Sequence, residues 1–163
     1  MRRVLLLQAL LVLIPSLRAA DWPQWRGPNR NGICLERGLL QTWPEEGPKL
    51  AWRVDGLGKG YSTVAIAGGR IFTTGQRRGG TDLIALEVKT GKELWSASVG
   101  GGSPNATPTV DGERVYALGR DGDLICAQAD TGKVLWRKKF SKDFQGKMMS
   151  GWGYSESPLV DGD

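Results

Sequence analysis

The phrase Ala-Leu-Glu-Val-Lys-Thr-Gly-Lys-Glu-Leu-Trp at 85–95 returns as Cys-Ala-Gln-Ala-Asp-Thr-Gly-Lys-Val-Leu-Trp at 126–136. A period near 40 residues is the signature of repeated supersecondary units that bury their faces on one another. Three tryptophans mark it, each closing a similar phrase: Gly-Pro-Lys-Leu-Ala-Trp52, Gly-Lys-Glu-Leu-Trp95 and Gly-Lys-Val-Leu-Trp136. A second marker falls between them. Ala-Gly-Gly-Arg-Ile-Phe at 67–72 aligns with Asp-Gly-Glu-Arg-Val-Tyr at 111–116, and Asp-Gly-Asp at 161–163 opens a third copy.

Within one unit, strand and turn signals alternate closely. Residues 107–110 are partly β-branched, and Asp111-Gly112 is a hairpin turn signal. Short strands follow at 115–118, 124–128 and 134–137, separated by turns at 120–123 and 130–133. The earlier unit has the same plan with a middle hairpin three residues longer, at 76–81. Four short antiparallel strands per unit predict an all-β chain built as a β-propeller. Gly-rich turns and missing apolar helix faces exclude a solenoid of helix pairs, and a β-sandwich does not require phrase-level repetition.

The chain opens Met1-Arg2-Arg3, runs uncharged from Val4 to Leu17 and reaches Ala19 and Ala20 before Asp21. This pattern predicts a secretory signal peptide over 1–20, hence a periplasmic or secreted protein with no membrane span after cleavage. The uncharged stretch is shorter than the ~20 residues a spanning helix needs. Of 22 lysines and arginines, three belong to that leader, and the rest nearly balance the 17 acidic residues. The basic pI therefore does not point to a nucleic-acid partner. Histidine is absent, which excludes Ser-His and Cys-His catalytic pairs. Cys126 fills the slot that Ala85 holds in the other copy and reads as a small buried thiol; whether it pairs with Cys34 stays open.

The Thr-Gly-Lys-x-x-Trp phrases and the Gly-containing hairpins resemble the pyrroloquinoline quinone-like β-propeller repeat with its tryptophan docking motif. The opening Asp-Trp-Pro-Gln-Trp-Arg-Gly-Pro-Asn-Arg-Asn-Gly at 21–32 is similar to the start of exported quinoprotein-like members. The resemblance implies seven or eight blades. The sequence supplies about three blades' worth and is expected to be an incomplete chain: a Trp/Pro-rich segment at 21–50, then a partial propeller at 51–163. The resemblance also implies that Trp52, Trp95 and Trp136 pack between neighbouring blades, while Gly91 and Gly132 serve the tight Thr-Gly turns.

Enzymes of that superfamily hold the quinone and a calcium ion on the propeller axis. No adjacent cysteines and no dense Asp/Asn/Glu cluster occur here, so no metal, cofactor or catalytic residue is expected; Asp121-Gly122-Asp123 reads as a hairpin turn. Segments joining one blade to the next, at 56–62, 100–106 and 138–155, are the candidate binding loops. Ser62, Ala106 and Glu156 are equivalent in them, as are Tyr61, Asn105 and Ser155, all expected on the channel or its rim. The longest loop holds Met148, Met149, Trp152 and Tyr154, residue types suited to partner contact. Lys59, Tyr61, Asn105, Trp152, Tyr154 and Glu156 are the predicted binding residues, for a protein or small ligand on the loop face. The 21–50 segment is expected to lie over the propeller and bury its tryptophans, with carbohydrate stacking by Trp22 and Trp25 as the alternative. The expected function is an exported non-catalytic binding or scaffold propeller, similar to those of envelope assembly. The alternative is the N-terminal part of a quinone- and calcium-dependent alcohol or sugar dehydrogenase.

Overall fold

A computed structural model describes residues 20–162; all but the last residue of the predicted leader lies outside them. The chain forms two four-stranded antiparallel sheets, each a meander in sequence order. Blade 1 comprises β1 (Ala65–Ala67), β2 (Arg70–Arg77), β3 (Gly80–Glu87) and β4 (Glu93–Gly101). Blade 2 comprises β5 (Thr109–Asp111), β6 (Arg114–Leu118), β7 (Asp123–Gln128) and β8 (Val134–Lys139), followed by the short α1 (Phe140–Asp143). No helix among the described residues is long and apolar enough to cross a membrane.

Strand β3 is buried without a break from Leu83 to Leu86, because the sheet is covered there on both faces. In β3, Leu83 and Ala85 face blade 2, while Ile84 and Leu86 face the other way, towards Trp52 and Leu57. Burial on both sides explains why Leu-Ile-Ala-Leu reads as an unbroken apolar run rather than an alternation. The core between the blades joins Phe72, Leu83, Ala85 and Val99 of blade 1 to Val115, Ala117, Ile125 and Ala127 of blade 2.

The Thr-Gly-Lys turns repeat atom for atom. Gly91 N donates to Glu87 O at 2.8 Å and Gly132 N to Gln128 O at 2.9 Å, while Thr90 and Thr131 Oγ1 accept from the lysine amides two residues on. Both glycines have positive φ, 70° and 73°, and both lie under a tryptophan. A Cβ on Gly91 would stand 2.7 Å from the Trp52 ring, and one on Gly132 would strike the Trp95 ring. The indole nitrogens donate to Val88 O at 3.0 Å and Ala129 O at 3.2 Å, so each seam is packed and hydrogen-bonded. Trp136 is 41% exposed, and no glycine turn lies against it among the described residues.

Two features differ from expectation. The additional residues at 76–81 lengthen the strands, not the loop: pairing continues to Arg77 and Gly80 around a two-residue turn with φ of 51° and 83°. The N-terminal segment buries its rings only in part. Trp22 is half-buried and pairs with Ile66 in both directions at 2.8 Å, but Trp25 is 44% and Trp43 67% exposed. Only Trp22 and Pro23 reach the strand edges, whereas 33–50, with Pro44 and Pro48 lacking donors, forms no ladder. Both cysteines are free, Cys34 exposed and Cys126 buried, and burial pushes the Cys126 thiol above its ordinary value.

Candidate functional site

The inter-blade segments meet where the innermost strands begin, and hydroxyls bind them side by side. Thr63 Oγ1 and Thr107 Oγ1 lie 2.9 Å apart, Thr107 N donates to Ser157 Oγ at 3.0 Å, and Thr109 Oγ1 donates to Pro158 O at 2.6 Å. Thr74 Oγ1, from the second strand of blade 1, donates to Ala106 O at 3.1 Å. These bonds carry the register from one unit to the next without a shared backbone ladder.

On this frame Tyr61, Asn105 and Trp152 converge from three successive segments. Tyr61 N donates to Pro104 O at 2.9 Å, and its ring stands edge-on to Trp152 at 6.2 Å between centroids. Asn105 Nδ2 donates to Trp152 O at 2.7 Å and to Ser155 Oγ at 3.2 Å. Arg120 fixes the same loop: its Nε donates to Trp152 O at 3.2 Å and its Nη2 to Gly151 O at 2.6 Å. The loop backbone is thus pinned while its aromatic side chains stay available, with Tyr61 73% and Trp152 68% exposed.

Glu156 joins Tyr61 and Asn105 along a cavity of about 390 Å³, to which Trp25 and Arg30 of the N-terminal segment and Thr107 also contribute. Of the six predicted binding residues, Tyr61, Asn105 and Glu156 line this cavity, and Trp152 stands beside Tyr61 just outside it. The other two lie elsewhere. Lys59 pairs through its backbone with Gln76, and Leu57 and Gly58 just before it press against Gly75 and Gln76, leaving the Lys59 side chain exposed outside the cavity. Tyr154 instead anchors the long loop to blade 2. Its N donates to Arg120 O at 2.8 Å, and its ring meets Phe140 at 4.9 Å and covers Gly122.

Sequence reasoning missed Thr63, Thr107, Ser157, Arg120 and Arg30, and it ranked packing above ligand stacking for Trp25. The first three had a signal, because hydroxyl residues recur one position after Ser62, Ala106 and Glu156 in the aligned copies. Arg120 and Arg30 had none, since no repeat unit relates them to the cavity. Among the described residues no three histidine, cysteine, aspartate or glutamate side chains are grouped to hold a metal ion. Asp123 is engaged with Lys139 Nζ at 2.7 Å, and Gly100 and Gly101 leave room for the carboxylates of Asp123 and Asp121.

A family model described as outer membrane protein assembly factor BamB matches residues 36–139 and 102–163. The outer membrane protein assembly factor BamB of Pseudomonas aeruginosa is 37% identical over 71 residues, 41% of this chain and 18% of that protein. A quinoprotein ethanol dehydrogenase of Pseudomonas putida is 32% identical over 99 residues, 55% of this chain and 15% of the enzyme. Among solved structures, the quinohemoprotein alcohol dehydrogenase of Comamonas testosteroni superposes with a TM-score of 0.56 at 18% identity, over 77% of this chain and 20% of that one, a likeness of fold alone. The matched regions span between 14% and 18% of the length of the curated relatives. With two repeat-built blades, tryptophans seated on glycine turns and a family match running from residue 36 to the last residue, this chain belongs to the pyrroloquinoline quinone-like β-propeller repeat family of BamB and the quinoprotein dehydrogenases.

Proposed function

We propose that this chain belongs to an exported, non-catalytic propeller that binds a partner or ligand on its loop face, outside the cytoplasm. The observation that carries the reading is the convergence of Tyr61, Asn105 and Trp152 from three successive inter-blade segments, with the backbone pinned by Arg120 and the aromatic rings left exposed. Rigid backbone presenting exposed aromatics is the arrangement of a recognition surface. The match to an outer membrane assembly factor supports a binding role over a chemical one.

The dehydrogenase relatives favour a second reading, an N-terminal part of a quinone-dependent alcohol dehydrogenase. The described residues do not fit the quinone and calcium of that chemistry: no acidic cluster is gathered, and the two cysteines lie apart in unlike surroundings. The two readings separate in one experiment. The chain is incubated with pyrroloquinoline quinone and calcium, then assayed for ethanol-dependent dye reduction, while a photo-crosslinker at position 152 reports neighbours in the cell envelope. The binding reading expects no quinone uptake and a cross-link abolished by Tyr61→Ala. Quinone-dependent dye reduction overturns it.

A further inference from the structure

One wall of the cavity beside Tyr61 comes from a loop that the family model does not match, residues 24–32. This loop closes on itself: Gly27 N donates to Gln24 O, Arg30 N to Gly27 O, and Gly32 N to Arg26 O, at 3.0, 3.0 and 2.9 Å. Arg26 and Arg30 both hold left-handed backbone, with φ of 63° and 52°, a conformation that side-chain-bearing residues adopt only when their surroundings enforce it. The loop is also tethered across successive units. Trp22 pairs with Ile66, Pro23 O accepts from Val110 N at 2.8 Å, and Arg30 Nη1 donates to Gln24 Oε1 at 3.2 Å and Pro158 O at 3.4 Å.

The effect of this tethered, strained loop is to set Trp25 and Arg30 on the cavity wall with Tyr61, Asn105, Thr107 and Glu156. The Trp25 ring, 44% exposed, keeps part of its surface open to a guest on this wall. The chemistry of the lining is mixed in a specific way. Trp25 and Tyr61 supply flat apolar faces. Asn105 uses its amide hydrogens on Trp152 O and Ser155 Oγ, which leaves its Oδ1 as an acceptor. Glu156 adds acceptors and Arg30 adds donors. An anion would meet Glu156, a cation would meet Arg30, and an apolar guest would leave these groups without partners. A ring-shaped polyol satisfies all of them, its C–H face against an aromatic ring and its hydroxyls giving and taking hydrogen bonds.

We propose that this cavity is a non-covalent binding site for a neutral saccharide unit, with Trp25 and Tyr61 as stacking platforms and Arg30, Asn105 and Glu156 as hydrogen-bonding partners. The assignment rests on the reading of the chain as a non-catalytic binding domain and names the ligand class for it. Its volume, about 390 Å³, lies within the ordinary range for small-ligand sites.

The chain is titrated with cellohexaose, xylohexaose and glycerol, followed by calorimetry and tryptophan fluorescence. At least one hexaose is expected to bind with a Kd below about 1 mM, and glycerol, too small to stack, is not. Trp25→Ala and Tyr61→Ala each weaken binding about tenfold or more, Trp25→Phe keeps most of it, and Trp43→Ala, on an exposed ring outside the cavity, changes nothing. If Trp25→Ala fails to fold, Tyr61→Ala decides the matter alone, because that side chain is 73% exposed. Absence of binding by both hexaoses up to about 10 mM, or binding that survives loss of the platform rings, overturns the assignment. A position-152 cross-link that persists in that case leaves the binding-domain reading standing, whereas quinone-dependent dye reduction sinks that reading instead.

Discussion

In blade 1 a row of three residues crosses the sheet, Phe72, Ala85 and Trp95; in blade 2 the same row is Tyr116, Cys126 and Trp136. The outer rings of each row stand 5.9 and 6.0 Å apart with the same 52° tilt, over a small middle residue that lets them meet. The rows differ in what covers them. Trp95 is seated on Gly132 of the next blade, while Trp136 stays 41% exposed. The aromatic row is therefore set within each blade, and the seam is a second device added when a glycine turn arrives from a neighbour.

The sharpest way to break that distinction is to deny the seam its space. Gly132→Val places a side chain into the Trp95 ring at a backbone φ of 73°, and it is expected to cost about 3–5 kcal/mol in urea unfolding. Gly112→Val meets the same backbone penalty at φ 55° but open space, so it is expected to cost only about 1–2 kcal/mol. Equal losses would remove the claim that the seam depends on contact between Trp95 and Gly132.

A smaller contrast separates the two tryptophans. Trp95→Ala loses inter-blade packing and the hydrogen bond to Ala129 O, an expected loss of about 3 kcal/mol. Trp136→Ala loses the ring contact with Tyr116 but no glycine seam, and is expected to cost about 1 kcal/mol. Thermal unfolding of both variants checks the order, and a Trp136→Ala loss matching that of Trp95→Ala would mean that the row, not the seam, carries the stability.

The same division governs how much the sequence discloses. The parts of the seam were legible, because Thr-Gly-Lys-x-x-Trp recurs with its turn glycine and its inter-blade ring; that Trp52 and Trp95 sit on those glycines was not. The small residue beneath the rings was legible too, Ala85 and Cys126 occupying one aligned slot. The cavity lining was legible only where it lay on aligned segments, as with Tyr61 and Asn105. Lys59 looked equally placed, yet its backbone bridge to Gln76 keeps it outside the cavity, a pairing that no repeat announces. Trp25, Arg30 and Arg120 reach the site through tertiary contacts without periodicity, so the pattern that revealed the blades was silent about them.

The smallest expected effect sharpens the comparison from the other side, by a feature of blade 1 that blade 2 lacks. The longer β2–β3 hairpin brings Arg77 to Glu93, bonded at 2.8 and 3.2 Å, and to Asp82 at 3.4 Å; in blade 2 the position of Glu93 is Val134. The hydrogen bond from Arg77, opposed by partial burial, holds the Glu93 carboxyl below its ordinary value of 4.5. A carboxylate with a lowered folded pKa adds stability above its unfolded pKa and loses it as pH falls through the folded value. The pair is half open to water, so its contribution is expected to be about 0.5 kcal/mol. Glu93→Gln is therefore expected to lower stability slightly at neutral pH, with the gap to the parent chain closing as pH drops below 4.5 and shrinking in high salt. A gap independent of pH would show that Glu93 serves the hairpin by packing, and that the two blades differ in length but not in electrostatics.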